Sequence, residues 1–258
     1  PKPSSAASDV YKRQALVGVP NAGKSQLLAA LTNAEPEVAD YPFTTQRPQA
    51  GMVAFENVQI QMVDLPPLTE EHTEPWAFNI MRNADALVLI LDLSQDPLAE
   101  LEIIIKVLGG QRITLQGEGG GEIEPGTFPK RSLVIGNKGD LAGTKENFAI
   151  LKELYGERFS MIMVSAKEGL NLEKLREKLY TLLDVLRVYP KRPGHEPDLS
   201  APVILKRGST VLDLAQEIHK DFVSKLRYAR IWGSGKFDGQ RVQRDYPLQD
   251  GDIIELHI

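Results

Sequence analysis

Gly18-Val-Pro-Asn-Ala-Gly-Lys-Ser25 is the stretch on which the fold of this chain turns. It follows Ala15-Leu-Val-Gly-Val19, an apolar run that reads as a buried strand, and leads into Lys24–Thr32, which predicts a helix. Between the two, the glycines let successive main-chain N–H groups curl around an anion, and the helix start adds its positive end. The last two positions divide the work on a polyphosphate: Lys24 reaches the β and γ oxygens, and the Ser25 hydroxyl binds Mg²⁺. The expected phosphate-binding set is Asn21, Ala22, Gly23, Lys24, Ser25 and Gln26.

Outward from this loop, short apolar runs alternate with helical patterns, the rhythm of parallel strands buried on both faces. Ala86–Asp92, Ser132–Asn137 and Phe159–Ser165 predict strands, and Gly51–Glu56 with Val58–Asp64 a hairpin. Helices are expected over Pro97–Leu108, Lys145–Tyr155 and Asn171–Leu186, the last capped by Asn171 with its leucines along one face. The expectation is α/β: a P-loop, doubly wound domain over residues 15–187. Gly109–Arg131 breaks the rhythm. Its glycine run, Gly117–Glu122, has no strand feeding directly into a helix, so it reads as a mobile insertion rather than a second phosphate site. Residues 188–200, with Pro190, Pro193 and Pro197, read as a linker. Residues 201–258 then pattern as a compact β/α roll, with strands at Pro202–Lys206, Ala229–Trp232, Gln240–Gln243 and Asp252–Ile258 around a helix at Thr210–Lys220. Pro1–Gln14 reads as a non-native scar or a disordered tail, and it lacks the apolar core of a signal peptide.

Three further stretches fall in the order that guanine recognition requires. Asp64 ends a strand, where it can hold Mg²⁺ through water. Asn137-Lys138-Gly139-Asp140 also sits at a strand end: Asp140 can accept from guanine N1–H and the exocyclic amine, Asn137 supports the loop and the other edge of the base, and the Lys138 stem lies over the ring. Adenine has an acceptor at N1 and no 2-amine, so the same carboxylate rejects it. Ser165-Ala166-Lys167, at a third strand end, offers the Ala166 N–H to guanine O6.

These residues resemble the Obg-type GTPases, most closely the developmentally regulated GTP-binding subfamily. Tyr41-Pro-Phe-Thr-Thr45 is similar to that group's switch I, which implies Thr45 rather than Thr44 as a Mg²⁺ ligand and makes Lys24, Thr45 and Asp64 the catalytic set. Tyr228–Gly235 and Leu248–Ile253 are similar to the TGS domain that ends those proteins, which implies a second, smaller β-grasp (ubiquitin-like) domain over 201–258. The resemblance also implies partners around translation: a ribosome, RNA or a translation-associated protein. Three departures stand out. The domain that such proteins insert before the guanine-reading strand is reduced to Gly109–Arg131, and their N-terminal helical extension has no counterpart in Pro1–Gln14. Their Asp-x-Pro-Gly becomes Asp64-Leu65-Pro66-Pro67, and proline has no N–H to give to the γ-phosphate.

Bulk composition narrows the field little further. The 258 residues are 42% hydrophobic and 25% charged with a net charge of −5, an ordinary globular balance without an overall nucleic-acid signature. With no cysteine there is no disulfide or thiolate metal site, and no apolar run reaches membrane-span length, so a cytoplasmic location and no membrane partner are expected. Two readings follow for GTP: a slow Mg²⁺-dependent GTPase, or a GTP/GDP-binding module with little hydrolysis that docks through its tail. Asn21 reads either as a K⁺ ligand or as a loop-shaping residue. Leu68–Glu74 is unlike the family's glycine-rich switch, and its run Glu70–Glu74 reads as a solvated loop, with Glu70, Glu71, His72 and Glu74 as alternative water-positioning groups. Lys206, Arg207, Lys225, Arg227, Arg230, Lys236, Arg241 and Arg244 can form a basic face in the tail, although interspersed acids nearly cancel them.

Overall fold

The computed structural model describes residues 12–32, 37–38, 48–71, 73–117 and 124–258. Two units emerge: the first is Lys12–Phe55 with Gln59–Leu183, and the second is Asp184–Ile258 together with the short stretch Glu56–Val58.

The first unit runs β1 (Lys12–Val17), α1 (Lys24–Leu31), β2 (Glu37–Val38), β3 (Gln49–Phe55), β4 (Val58–Asp64), α2 (Pro75–Asn83), β5 (Ala86–Asp92), α3 (Pro97–Gly110), β6 (Ile113–Gln116), β7 (Phe128–Asn137), α4 (Thr144–Tyr155), β8 (Ser160–Met163) and α5 (Leu172–Leu182). One sheet carries it, in the order β2-β3-β4-β1-β5-β7, with β6 and β8 both paired to β7. Strand β1 is parallel to β4 and β5, and β5 to β7. All seven residues of β5 are buried, as a strand covered on both faces demands. The doubly wound α/β fold therefore stands. Its register decides the chemistry: Leu16 lies opposite Asp64, and Asp92 opposite Asn137, so these side chains gather at the carboxyl end of the sheet.

Several expectations change. Strand β1 starts at Lys12, so Lys12–Gln14 are not tail; residues 1–11 lie outside the described residues. Three polar residues hid the strand, yet Gln14 is buried and donates from Nε2 to the Leu179 carbonyl at 2.6 Å. Nor is Gly109–Arg131 a plain insertion. Ile113 and Leu115 alternate inward in β6, which pairs parallel with Phe128–Arg131 of β7, and residues 118–123 lie outside the described residues. Helix α2 adds an element to those read from the sequence. Pro75 opens it without losing a needed N–H, and Trp76, Ala77, Ile80 and Met81 form its buried stripe. Helix α5 is shorter than Asn171–Leu186, because Asp184 turns the chain at φ 51°. Asn171 holds the N-cap position at φ 59° without capping, and its Nδ2 donates to the Met163 carbonyl at 2.9 Å instead.

The second unit runs β9 (Val185–Lys191), β10 (Val203–Lys206), α6 (Val211–Ile218), α7 (Lys220–Lys225), β11 (Tyr228–Trp232), β12 (Gln240–Val242) and β13 (Asp252–His257), with strand order β10-β9-β13-β11-β12. Only β9 and β13 pair in parallel. Leu186, Val188, Ala229, Ile231 and Ile254 form one core with Val211, Leu214 and Ala215 of α6, and Thr210 opens that helix with a capping box to Asp213. This is the expected β-grasp, but its first strand occupies what read as domain end and linker. The stretch 185–191 alternates Leu186 and Val188 inward, a period-2 pattern masked by its proline. Pro190 is tolerated because β10 pairs only as far as Val188.

Among the described residues no helix is long and apolar enough to cross a membrane.

Candidate nucleotide site

The loop between β1 and α1 is shaped by close approach. A Cβ on Gly18 would lie 2.6 Å from the Ile90 carbonyl oxygen, and one on Gly23, at φ 90°, would lie 2.3 Å from Asn137 Nδ2. Asn21, exposed at the loop tip, takes φ 62°; Ala22 is buried, and Gln26 is exposed on the first turn of α1. Lys24 is buried, and its ammonium donates to the carbonyls of Gly18 at 3.2 Å and Val19 at 3.4 Å. Burial pushes its pKa down, against the opposing pull of Asp64 and Glu100. Ser25 Oγ–H donates to Asp64 Oδ2 in a close contact, while Asp64 Oδ1 is buried without a partner. Burial raises the Asp64 pKa, with Ser25 and Lys24 opposing. A hydroxyl and a carboxylate that meet at one point, with a spare carboxylate oxygen out of water, fit the demands of a hard divalent cation. Thr44, Thr45 and the rest of Tyr41–Thr45 lie outside the described residues, as does His72.

On the other side of the loop Asn137 acts as a clamp. Wholly buried, it donates from Nδ2 to the Ala22 carbonyl at 3.0 Å and accepts the Ala166 N–H on Oδ1 at 3.1 Å. The expected loop support is there. The Ala166 N–H, however, is engaged by Asn137 rather than standing free for guanine O6. Lys138, at φ 63°, donates to Asp92 Oδ2 at 2.5 Å. Asp92 also accepts Ser94 N–H and Oγ–H; burial works to raise its pKa, and Lys138 and Ser94 outweigh that and leave it low. Asp140 is exposed, and the Ser165 hydroxyl, with Lys167 adding charge, holds its carboxyl below the usual range. The exposed Lys167 pairs with Glu168 at 3.5 Å.

After Asp64 the chain packs inward: the Leu68 side chain is fully buried, and its N–H donates to the Gly18 carbonyl at 3.0 Å. Glu70 is exposed and pairs with Lys106 at 2.7 Å. A cavity of about 280 Å³ opens here, lined among others by Lys24, Ser25, Asp64, Pro67 and Trp76. Sequence reading passed over Asp92, although it ends a strand like the other site residues. It also missed Glu100, whose Oε2 accepts the Asp92 N–H at 2.8 Å and whose pKa burial pushes up to about 7. Only burial could have revealed Glu100.

Fold and site together define a guanine-nucleotide-binding P-loop domain joined to a β-grasp domain. Comparison with known proteins agrees. The model of the 50S ribosome-binding GTPase family matches residues 13–115, and that of the TGS domain residues 186–258. A GTP-binding protein of Methanocaldococcus jannaschii is 31% identical, with 95% of this chain and 77% of that protein covered. Developmentally-regulated GTP-binding protein 1 of Xenopus laevis is 27% identical over 95% of this chain and 82% of its own length. A GTP-binding protein of Pyrococcus horikoshii has a solved structure that shares the fold, with a TM-score of 0.64 at 17% identity over 95% of this chain and 99% of that one. The chain belongs to this family of TGS-bearing P-loop GTPases, the one that contains the developmentally regulated GTP-binding proteins.

Proposed function

We propose that this protein is a slow, Mg²⁺-dependent GTPase that works around translation. The observation that carries the reading is the single hydrogen-bonded assembly of phosphate loop, Asp64 and guanine-reading loop, in which Asn137 ties Ala22 to Ala166 and Ser25 meets Asp64. Ser25, Asp64 and, on the family resemblance, Thr45 would hold Mg²⁺, which when bound neutralises charge on the β and γ oxygens. Lys24 exchanges its two carbonyl partners for phosphate oxygens. Asp140, held ionised, accepts two guanine hydrogen bonds, and the Lys138 stem covers the ring while Asp92 fixes its ammonium. Asn21 at the loop tip is the candidate K⁺ ligand. The ribosome is named in the description of the matching family, and with the basic residues of the second unit this favours a ribosomal, RNA or translation-factor partner.

Pro67 and the engaged N–H of Leu68 favour a second reading, a GTP/GDP-binding module with little turnover that docks through its TGS domain. The deciding experiment is GTP turnover with Mg²⁺ in K⁺ and then Na⁺ buffer, beside Lys24→Ala and Asn21→Ala. Turnover that is lost in Lys24→Ala supports the GTPase, and K⁺ stimulation lost in Asn21→Ala supports the K⁺ site. No turnover, with tight guanine-nucleotide binding retained, supports the module.

A further inference from the structure

Family members of this kind place a glycine after Asp-x-Pro, whose main-chain N–H meets the γ-phosphate. Here residue 67 is proline and has no N–H. The next N–H along, that of Leu68, is committed to the Gly18 carbonyl at 3.0 Å, and the Leu68 side chain is locked in the core. Neither residue presents a main-chain donor to the cavity beside Lys24.

A residue with an unused donor lines that cavity. Trp76 sits in the first turn of α2, anchored by the apolar stripe of Ala77, Ile80 and Met81. Its side chain is 8% exposed, and its Nε1 is buried with no hydrogen-bond partner. A buried indole N–H without an acceptor is a standing free-energy cost, and buried tryptophans ordinarily find a partner. Asp64 Oδ1, on the same cavity, is likewise buried and unpartnered. One orphan is a donor and the other an acceptor, yet they do not satisfy each other. A ligand that settles both must present an anionic oxygen to the indole and a cation, or its bound water, to the carboxylate. A metal-chelated terminal phosphate has that pairing.

We infer that the Trp76 indole N–H is the donor to the γ-phosphate of GTP that Pro67 cannot supply, so that Trp76 distinguishes triphosphate from diphosphate. This deepens the proposed nucleotide site and rests on it. The donor stands on a helix rather than on a glycine hinge, and because Nε1 is buried a local adjustment of the cavity wall has to uncover it for the phosphate.

The test is equilibrium binding of GDP and of a non-hydrolysable GTP analogue, both with Mg²⁺, to the full chain and to Trp76→Phe, which keeps an aromatic ring and loses the N–H. A hydrogen bond to a charged group predicts a loss of roughly tenfold or more for the triphosphate, with GDP affinity held within about twofold. Equal losses for both nucleotides would make Trp76 a packing residue and overturn the inference, as would no loss at all. A second measurement serves if Trp76→Phe fails to fold. The chain has two tryptophans, so Trp232→Phe leaves Trp76 as the sole indole emitter. Its emission should shift with the triphosphate analogue and not with GDP; the same spectrum with both refutes the contact. If the parent chain binds neither nucleotide, the proposed function itself falls, and the inference with it.

Discussion

Replacing Asn137 by alanine tests whether one side chain knits the site together. The carboxamide is fully buried and makes two hydrogen bonds to main-chain groups: Nδ2 to the Ala22 carbonyl at 3.0 Å, and Oδ1 from the Ala166 N–H at 3.1 Å. Alanine leaves both groups without a partner, and each buried orphan costs about 1–3 kcal/mol. Water entering the emptied space recovers part of this, so the expected loss is about 2–4 kcal/mol of stability. Asn137→Asp is nearly isosteric and keeps the acceptor for Ala166, yet it sets a carboxylate oxygen against the Ala22 carbonyl. It should be at least as damaging. The assay is urea unfolding in the Trp232→Phe background, where emission reports Trp76 and hence the larger unit alone. GDP titration of the folded variants accompanies it, because the same bonds hold the phosphate and base loops in register. A loss below about 0.5 kcal/mol, the size of an ordinary surface change, with unaltered GDP affinity would refute the clamp.

Two more outcomes can be checked by similar means. Glu100 has its pKa raised from 4.5 to about 7, chiefly by burial; the folded state prefers it protonated, so its stabilising contribution is full below pH 4.5 and declines as pH rises to about 7. Glu100→Gln keeps an acceptor for the Asp92 N–H, so it should match the parent near pH 4.5 and exceed it in thermal stability at pH 8, as differential scanning fluorimetry would read. In the second unit, Thr210→Ala removes the hydroxyl half of a capping box that Asp213 completes at 2.7 Å, and should cost that unit about 1 kcal/mol in unfolding followed by Trp232 emission.

What the sequence disclosed and what it hid divide along physical lines. Residues at the ends of strands were legible, because an α/β sheet delivers Ser25, Asp64, Asn137 and Ala166 to one edge whatever the details of packing. Elements whose polar or proline content contradicted their pattern were not. Gln14 looked like tail, although its amide finds the Leu179 carbonyl inside the core. Pro190 made strand β9 look like linker, when its inward residues Leu186 and Val188 carry the alternation. Glycines around 117–121 drew the eye from Ile113 and Leu115. Hydrogen-bond commitments were the least legible: nothing in Ser165-Ala166 says that the hydroxyl oxygen takes the Glu168 N–H while the Ala166 N–H serves Asn137, since both follow from the loop's folded path.

The two halves of the site differ in how fully their polar groups are satisfied, and the difference bears on switching. On the base side the buried groups have partners: Asn137 with Ala22 and Ala166, and Asp92 with Lys138 and Ser94. Such a surface is preorganised, and on the proposed reading it would meet the guanine of GDP and of GTP alike, so it would not favour one state over the other. The phosphate side keeps its debts open, with Asp64 Oδ1 and Trp76 Nε1 unpartnered and the Lys24 ammonium resting on loop carbonyls. Only that side can contribute a difference between the two nucleotides. Leu65 and Leu68 are both buried, with Pro66 and Pro67 between them and the Leu68 N–H fixed to Gly18. The segment is thus pinned at both ends and stiff in the middle, which opposes the swing that a glycine hinge allows. On the proposed reading the γ-phosphate would meet a stiff segment rather than a hinge, and selectivity for it would depend on the donors that the cavity wall can offer.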